Sequence, residues 1–122
     1  MSFSEETLLR LHATARIGAR TAEALRTALA TDEGLWRASA EALRRVPGVG
    51  PKRAEAVVEA GKSDAWKEEK ALAHRHGIRL LPFSDPTYPK ALGAIYDPPL
   101  VLSVLGELKA EAERLGYGFY IV

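Results

Sequence analysis

Apolar residues recur at helical spacing through the first half of the chain and then change period. Leu8, Leu9 and Leu11 make a short amphipathic start, with Ser2 and Glu5 at the spacing of a capping box. Gly18 interrupts it. The next stretch places Ala22, Leu25, Ala28 and Leu29 on one face of a helix. Asp32 is positioned to cap a short helix holding Leu35 and Trp36, and Ser39 to cap another with Ala42, Leu43 and Val46 inward. Pro47-Gly48-Val49-Gly50 stops that helix. Pro51 suits the first turn of the next, which runs through Val57 and Val58 to Gly61, a candidate C-terminal stop. Ser63 or Asp64 caps a last helix that ends at Gly77. Residues up to Lys62 are therefore expected to be all-helical and to pack as one unit, with Leu25, Leu29, Leu43, Val46, Val57 and Val58 buried.

From Ile78 the pattern is different. Ile78 to Phe83 is a short apolar run after a helix-ending glycine, which predicts a buried strand. Asp85-Pro86-Thr87-Tyr88-Pro89 is turn chemistry, and Pro89 can open a short helix through Leu92 and Ile95. Asp97-Pro98-Pro99 enforces an extended entry into a second run, Leu100 to Leu105. Glu107 to Leu115 reads as a helix, and Tyr117 to Val122 as a third strand. Strands alternating with helices predict a parallel layer, here incomplete and with open edges for pairing. The expected fold class is thus α/β overall, with an all-α domain over residues 1–76 and a partial α/β segment over residues 77–122.

Two segments match at a spacing of 32 residues. Ile17 to Leu25 aligns with Val49 to Val57, and four of nine positions are identical, including the leading glycine. Two copies indicate a tandem unit, whereas a solenoid needs at least three.

Composition narrows the chemistry. The chain has 122 residues, 47% hydrophobic and 27% charged, a globular balance. Seventeen basic residues against sixteen acidic give a net charge of +1, so affinity for an anionic partner has to come from local placement. The absence of cysteine excludes thiolate metal sites, disulfides and cysteine nucleophiles. The N-terminus lacks the basic and apolar regions of a signal peptide, and no apolar stretch reaches membrane-spanning length, so a soluble, cytoplasmic protein is expected. His74 and His76 diverge on a helix and make no metal site; His12 stands alone. Trp36 and Trp66 read as packing residues, and Lys67 to Lys70 as a solvated face. No nucleotide or nucleophile motif is present, and no clustered carboxylates support metal-dependent phosphodiester chemistry. Neither enzyme activity nor a cofactor is expected.

The most specific stretch is Leu43 to Val57. It resembles the helix-hairpin-helix motif: a helix, an apolar-Pro-Gly-apolar-Gly hairpin, then a second helix. Gly48 and Gly50 permit strained backbone and leave room for a phosphate, and Val49 can pin the hairpin inward. Backbone N–H groups at the start of the following helix make an anion site, to which Lys52, Arg53, Arg44 and Arg45 add charge. Such contacts read phosphate and not base sequence. The competing reading, a hairpin that only joins two packed helices, is favoured for the first copy, which lacks the first glycine.

The order Gly77-Ile78-Arg79-Leu80-Leu81, Asp85-Pro86, Tyr88-Pro89, Leu92, Ile95, Asp97-Pro98-Pro99, Leu102 and Gly106-Glu107-Leu108, downstream of that hairpin, resembles the N-terminal region of the DNA-processing protein A family (DprA, or Smf). The resemblance covers about Leu8 to Leu108. It implies a small helical (SAM-like) domain followed by a Rossmann-like one. It also implies binding of single-stranded DNA taken up in natural transformation (competence), with delivery to the RecA recombinase for recombination; a homodimer is expected only from pairing at the open sheet edges. Ser103 replaces an expected aromatic, and the sequence from Lys109 to Val122 departs from the pattern, so the chain reads as a truncated or divergent member. Two alternatives remain: a protein-interaction domain with a structural hairpin, and a part of a repair nuclease or helicase.

Overall fold

The computed structural model describes residues 3–105 and 120–121. Helix α1 (Glu5–Arg10) runs into a π-helical turn, Leu11–Ala15, and is followed by α2 (Ala19–Leu29), α3 (Asp32–Arg37), α4 (Ala40–Arg44), α5 (Pro51–Lys62) and α6 (Ala65–Arg75). Strand β1 (Ile78–Pro82), the one-turn helix α7 (Lys90–Gly93), and strands β2 (Val101–Leu105) and β3 (Tyr120–Ile121) complete the order.

The helical half forms as expected, for identifiable local reasons. Ser39 Oγ accepts the Ala42 amide at 3.1 Å and opens α4. Gly77, at φ 66°, takes the left-handed position after α6. Three caps differ from expectation. Ser2 lies outside the described residues, and Ser4 caps α1 through the Thr7 amide. Thr31, not Asp32, caps α3, its Oγ1 accepting the Gly34 amide at 2.9 Å. Gly61 is not a stop: it stays inside α5, and a Cβ there would come within 3.0 Å of the Trp36 ring.

Asp32 is used elsewhere. Its carboxylate accepts the Ser4 amide and the Thr7 hydroxyl, both at 3.0 Å, and ties the start of α1 to the start of α3. Burial by itself raises the Asp32 pKa, but the hydrogen bonds from Ser4 and Thr7 outweigh it and hold the group below its ordinary value. At Asp85 the amide and hydroxyl of Thr87 do the same, against a smaller opposing effect of burial and with help from Arg79. A carboxylate depressed on folding binds fewer protons in the native state than in the unfolded one at acid pH, so stability rises with pH there. We expect thermal midpoints to be flat above about pH 5 and to fall as the pH drops below the unfolded carboxylate value of about 3.9. Asp32→Asn should flatten that acid limb; an unchanged limb in a pH series of melting curves would remove Asp32 from the account.

One core of buried residues runs from Leu8, Leu9 and Leu11 through Leu25, Leu35, Leu43, Val46 and Val57 to Leu100 and Val101. Of the six residues expected inside, Leu25, Leu43, Val46 and Val57 are buried, while Leu29 and Val58 are half-buried against the same cluster. Trp36 and Trp66 pack at its margin. Arg10 reaches across the core edge to the end of α5, donating to the carbonyls of Ala60, Gly61 and Ser63 at 3.2–3.4 Å, with its guanidinium 5.1 Å from the Trp66 ring. A guanidinium at a helix C-terminus meets unpaired carbonyls and the negative end of the dipole together. His12 is not alone, nor is the Lys67 to Lys70 face wholly solvated: His12 Nε2 lies 3.0 Å from Glu69 Oε1.

The expected parallel layer is not formed. Strands β1 and β2 pair antiparallel, from Ile78 opposite Leu105 to Pro82 opposite Val101, and β3 pairs antiparallel with β2. The reason lies in the connection. A parallel return needs a crossover element laid over the sheet face, and α7 is a single turn. Instead Tyr88 and Asp85 close a tight turn, and the Phe83 amide meets the Leu100 carbonyl at 2.8 Å, which brings the two ends of the connection side by side. Tyr88 OH donates to the Pro99 carbonyl at 2.8 Å and its ring packs edge-on against Phe83. The chain therefore returns as a long hairpin, and no Rossmann-like layer stands among the described residues. The helix expected over Glu107 to Leu115 falls outside them.

Candidate nucleic-acid interface

The repeat seen in the sequence is a repeat in backbone geometry. In the second copy Gly48 is left-handed at φ 85°, Val49 is buried, and Gly50 precedes α5 at φ −83° and ψ −178°. In the first copy, 32 residues earlier, Arg16 is left-handed at φ 54°, Ile17 is buried, and Gly18 precedes α2 at φ −87° and ψ 178°. The first bonds of the two helices also correspond: the Ala22 amide to the Gly18 carbonyl at 3.1 Å, and the Ala54 amide to the Gly50 carbonyl at 2.9 Å. Ala22 and Leu25 of the first unit and Ala54 and Val57 of the second are all buried in the shared core. The first copy therefore keeps the hairpin without its first glycine, because Arg16 adopts the left-handed conformation in that place. An L-residue pays about 1–2 kcal/mol there, against which the Arg16 amide bonds the Leu11 carbonyl at 2.9 Å.

The second hairpin presents its backbone to solvent. Gly48, Gly50, Pro51, Lys52 and Arg53 are exposed, and a Cβ added at Gly50 would meet nothing within 4 Å. The amides of the first turn of α5 have no partner within the helix and point into that open space, at the positive end of a helix of 12 residues. Pro51 removes one donor and leaves the amides of Lys52 and Arg53. The Arg53 guanidinium is not simply projected into water: Nη1 donates to the Gly48 carbonyl at 2.8 Å, closing the hairpin and fixing a cation beside it. Arg44 and Arg45 stand exposed at the end of α4, Arg45 3.7 Å from Glu41. The four basic residues thus bracket one turn, Val46 to Gly50, and Val49 anchors that turn from inside as expected.

At the first hairpin the equivalent space is filled. The carboxylate of Asp97 lies where a Cβ on Gly18 would stand, and its Oδ1 accepts the Arg20 amide at 3.1 Å. The Pro98 carbonyl accepts the Ala19 amide at 2.9 Å, and the Arg20 guanidinium lies 3.9 Å from the centre of the Tyr96 ring. None of Asp97, Tyr96 or Arg20 stands out in the sequence as a site residue. A partial signal existed, since Asp97-Pro98-Pro99 enforces an extended entry into a strand and Gly18 is the glycine that the repeat shares with Gly50.

Residues 6–63 match the family model described as a SAM-like helix-hairpin-helix tandem. The match spans both hairpins and ends at Ser63, the residue that follows α5. Tandems of this family generally bind DNA or mediate protein interactions. No curated protein and no solved structure matched the chain. Among the described residues no helix is long and apolar enough to cross a membrane.

Proposed function

We propose that this chain is a DNA-binding module that holds backbone phosphate at the second hairpin, through the amides of Lys52 and Arg53, the open edge at Gly50 and the cations of Arg53, Lys52, Arg44 and Arg45. The observation that carries the reading is the pair of hairpins itself: the same backbone, in the first copy, already holds an oxygen anion, and in the second copy stands open. A helix N-terminus flanked by arginines, with no base-reading element beside it, suits the backbone phosphates of a nucleic acid. The module works by binding, with no catalysis of its own.

The resemblance of the segment from Gly77 to Leu108 to DNA-processing protein A makes single-stranded DNA in natural transformation the favoured context, with RecA as the downstream partner. Protein docking is the second reading, since tandems of this family serve both purposes.

Lys52→Ala together with Arg53→Ala should weaken binding of short labelled oligonucleotides about equally for unrelated sequences. The salt slope should be shallow, matching about two to four neutralised phosphates. The fold should persist, because both side chains are exposed and the lost Arg53 bond to Gly48 costs about 1 kcal/mol. Anisotropy titrations at several salt concentrations, with circular dichroism alongside, decide the matter. Unchanged affinity in the folded double variant would hand the hairpin to protein docking.

A further inference from the structure

We propose that Tyr96 and Asp97 form a strap that keeps a second phosphate site shut at the first hairpin, so that the module has two backbone sites of which one opens only when the strap lifts. The inference rests on the DNA-binding reading and adds its regulation.

The strap imitates what the site would take. A carboxylate oxygen sits on the Arg20 amide at the start of α2, a helix of 11 residues, in the position a phosphate oxygen would occupy. Beside it an aromatic ring lies on the Arg20 guanidinium, the stacking partner that a nucleobase also offers. The carboxylate occupies the space that the missing Cβ of Gly18 leaves. The first site, unlike the second, also keeps the N–H of its first helical residue, because Ala19 stands where Pro51 stands, and the Pro98 carbonyl covers it. The two hairpins thus offer the same number of named backbone donors, the Ala19 and Arg20 amides at the first and the Lys52 and Arg53 amides at the second; the strap holds the Arg20 amide and guanidinium, and Pro98 beside it holds the Ala19 amide.

The strap is held lightly. Tyr96 is 77% exposed and Ile95 50% exposed, so little apolar surface returns to water when they move. The anchoring of the neighbouring chain is separate: Tyr88 is bonded to Pro99 and packed on Phe83, and Leu100 is buried in the core. Lifting residues 95–97 therefore leaves the sheet and core in place. A DNA strand that has engaged the second hairpin carries further phosphates at high local concentration, which compete with Asp97 for the Arg20 amide.

The test is Asp97→Ala, titrated with short labelled oligothymidine at several salt concentrations. Affinity at low salt should rise by about three- to tenfold, with a slope of log K against log salt steeper by about 0.7, the increment for one more phosphate on a single strand. Removal of a negative charge by itself would also tighten binding, so the site is isolated by Gly18→Val in the Asp97→Ala background. A side chain at position 18 refills the opened space and should return affinity and slope to the wild-type values. Tyr96→Ala, at an exposed position, gives the same direction of change with smaller size and keeps the test in hand if Asp97→Ala does not fold. A gain that survives Gly18→Val, or no gain in either strap variant, overturns the strap. Loss of binding in Lys52→Ala/Arg53→Ala with no gain in the strap variants would reject the strap alone and leave the second hairpin as the DNA site.

Discussion

Leu25→Ala should destabilise the protein by about 3–5 kcal/mol, the range for a fully buried leucine whose cavity cannot collapse. Leu25 has no exposed surface and lies on the second helix of the first hairpin unit. Its counterpart, 32 residues on, is Val57, equally buried on the second helix of the other unit. Both belong to the one cluster that joins the helices to Leu100 and Val101. A chain of this size has about 5–15 kcal/mol of stability in all, and small domains sit low in that range. The substitution therefore removes a third or more of what holds the two hairpins in register. Urea unfolding followed by circular dichroism should show the midpoint falling in proportion, with the slope unchanged. Leu72→Ala is the reference: that side chain is 52% exposed on α6 and its loss should stay within about 0.5 kcal/mol. A Leu25→Ala midpoint close to the wild type would mean that the units do not depend on a common core.

The helical half was legible because its signals are local. Periodic apolar positions, Ser39 before α4, Pro51 at the start of α5 and Gly77 after α6 each act within one or two turns. The 32-residue repeat was legible too, and its register, extended by one residue, sets Arg16 opposite Gly48. What the sequence could not declare was which carboxylate goes where. Asp32 looks like a cap and instead reaches from one helix to the start of another. Asp97 looks like a turn residue and instead reaches 77 positions back to Arg20. Contacts of that kind depend on tertiary approach and leave no periodic trace. Sheet direction failed for a related reason. Alternation of elements implies a crossover, but α7 is too short to serve as one, and the bond between Phe83 and Leu100 turned the connection into a hairpin.

The same distinction separates the two glycines of the second hairpin, which should fail in different ways. Gly48 is the residue the fold requires. At φ 85° it lies in the left-handed region, and a Cβ there would make only an ordinary contact, 3.7 Å from Thr21 Oγ1. The cost of Gly48→Ala is therefore conformational, about 1–2 kcal/mol, enough to lower the melting temperature by several degrees. Gly50 is different. At φ −83° its backbone is one that any residue adopts, and an added side chain meets nothing within 4 Å. Gly50→Val thus introduces no backbone strain, and its effect on stability is limited to the preference of that cap position for small or polar residues, about 1 kcal/mol or less. What the valine does fill is the approach to the Lys52 and Arg53 amides. A lost hydrogen bond to a charged group is worth about 1.5–3 kcal/mol, so DNA affinity should drop by about tenfold or more while the protein stays folded. Melting curves and anisotropy titrations on the two variants should therefore cross: Gly48→Ala less stable with binding retained below its transition, Gly50→Val nearly as stable as the wild type with binding weakened by about tenfold or more. If Gly50→Val binds DNA normally, no phosphate comes down onto this turn, and the open edge serves another contact.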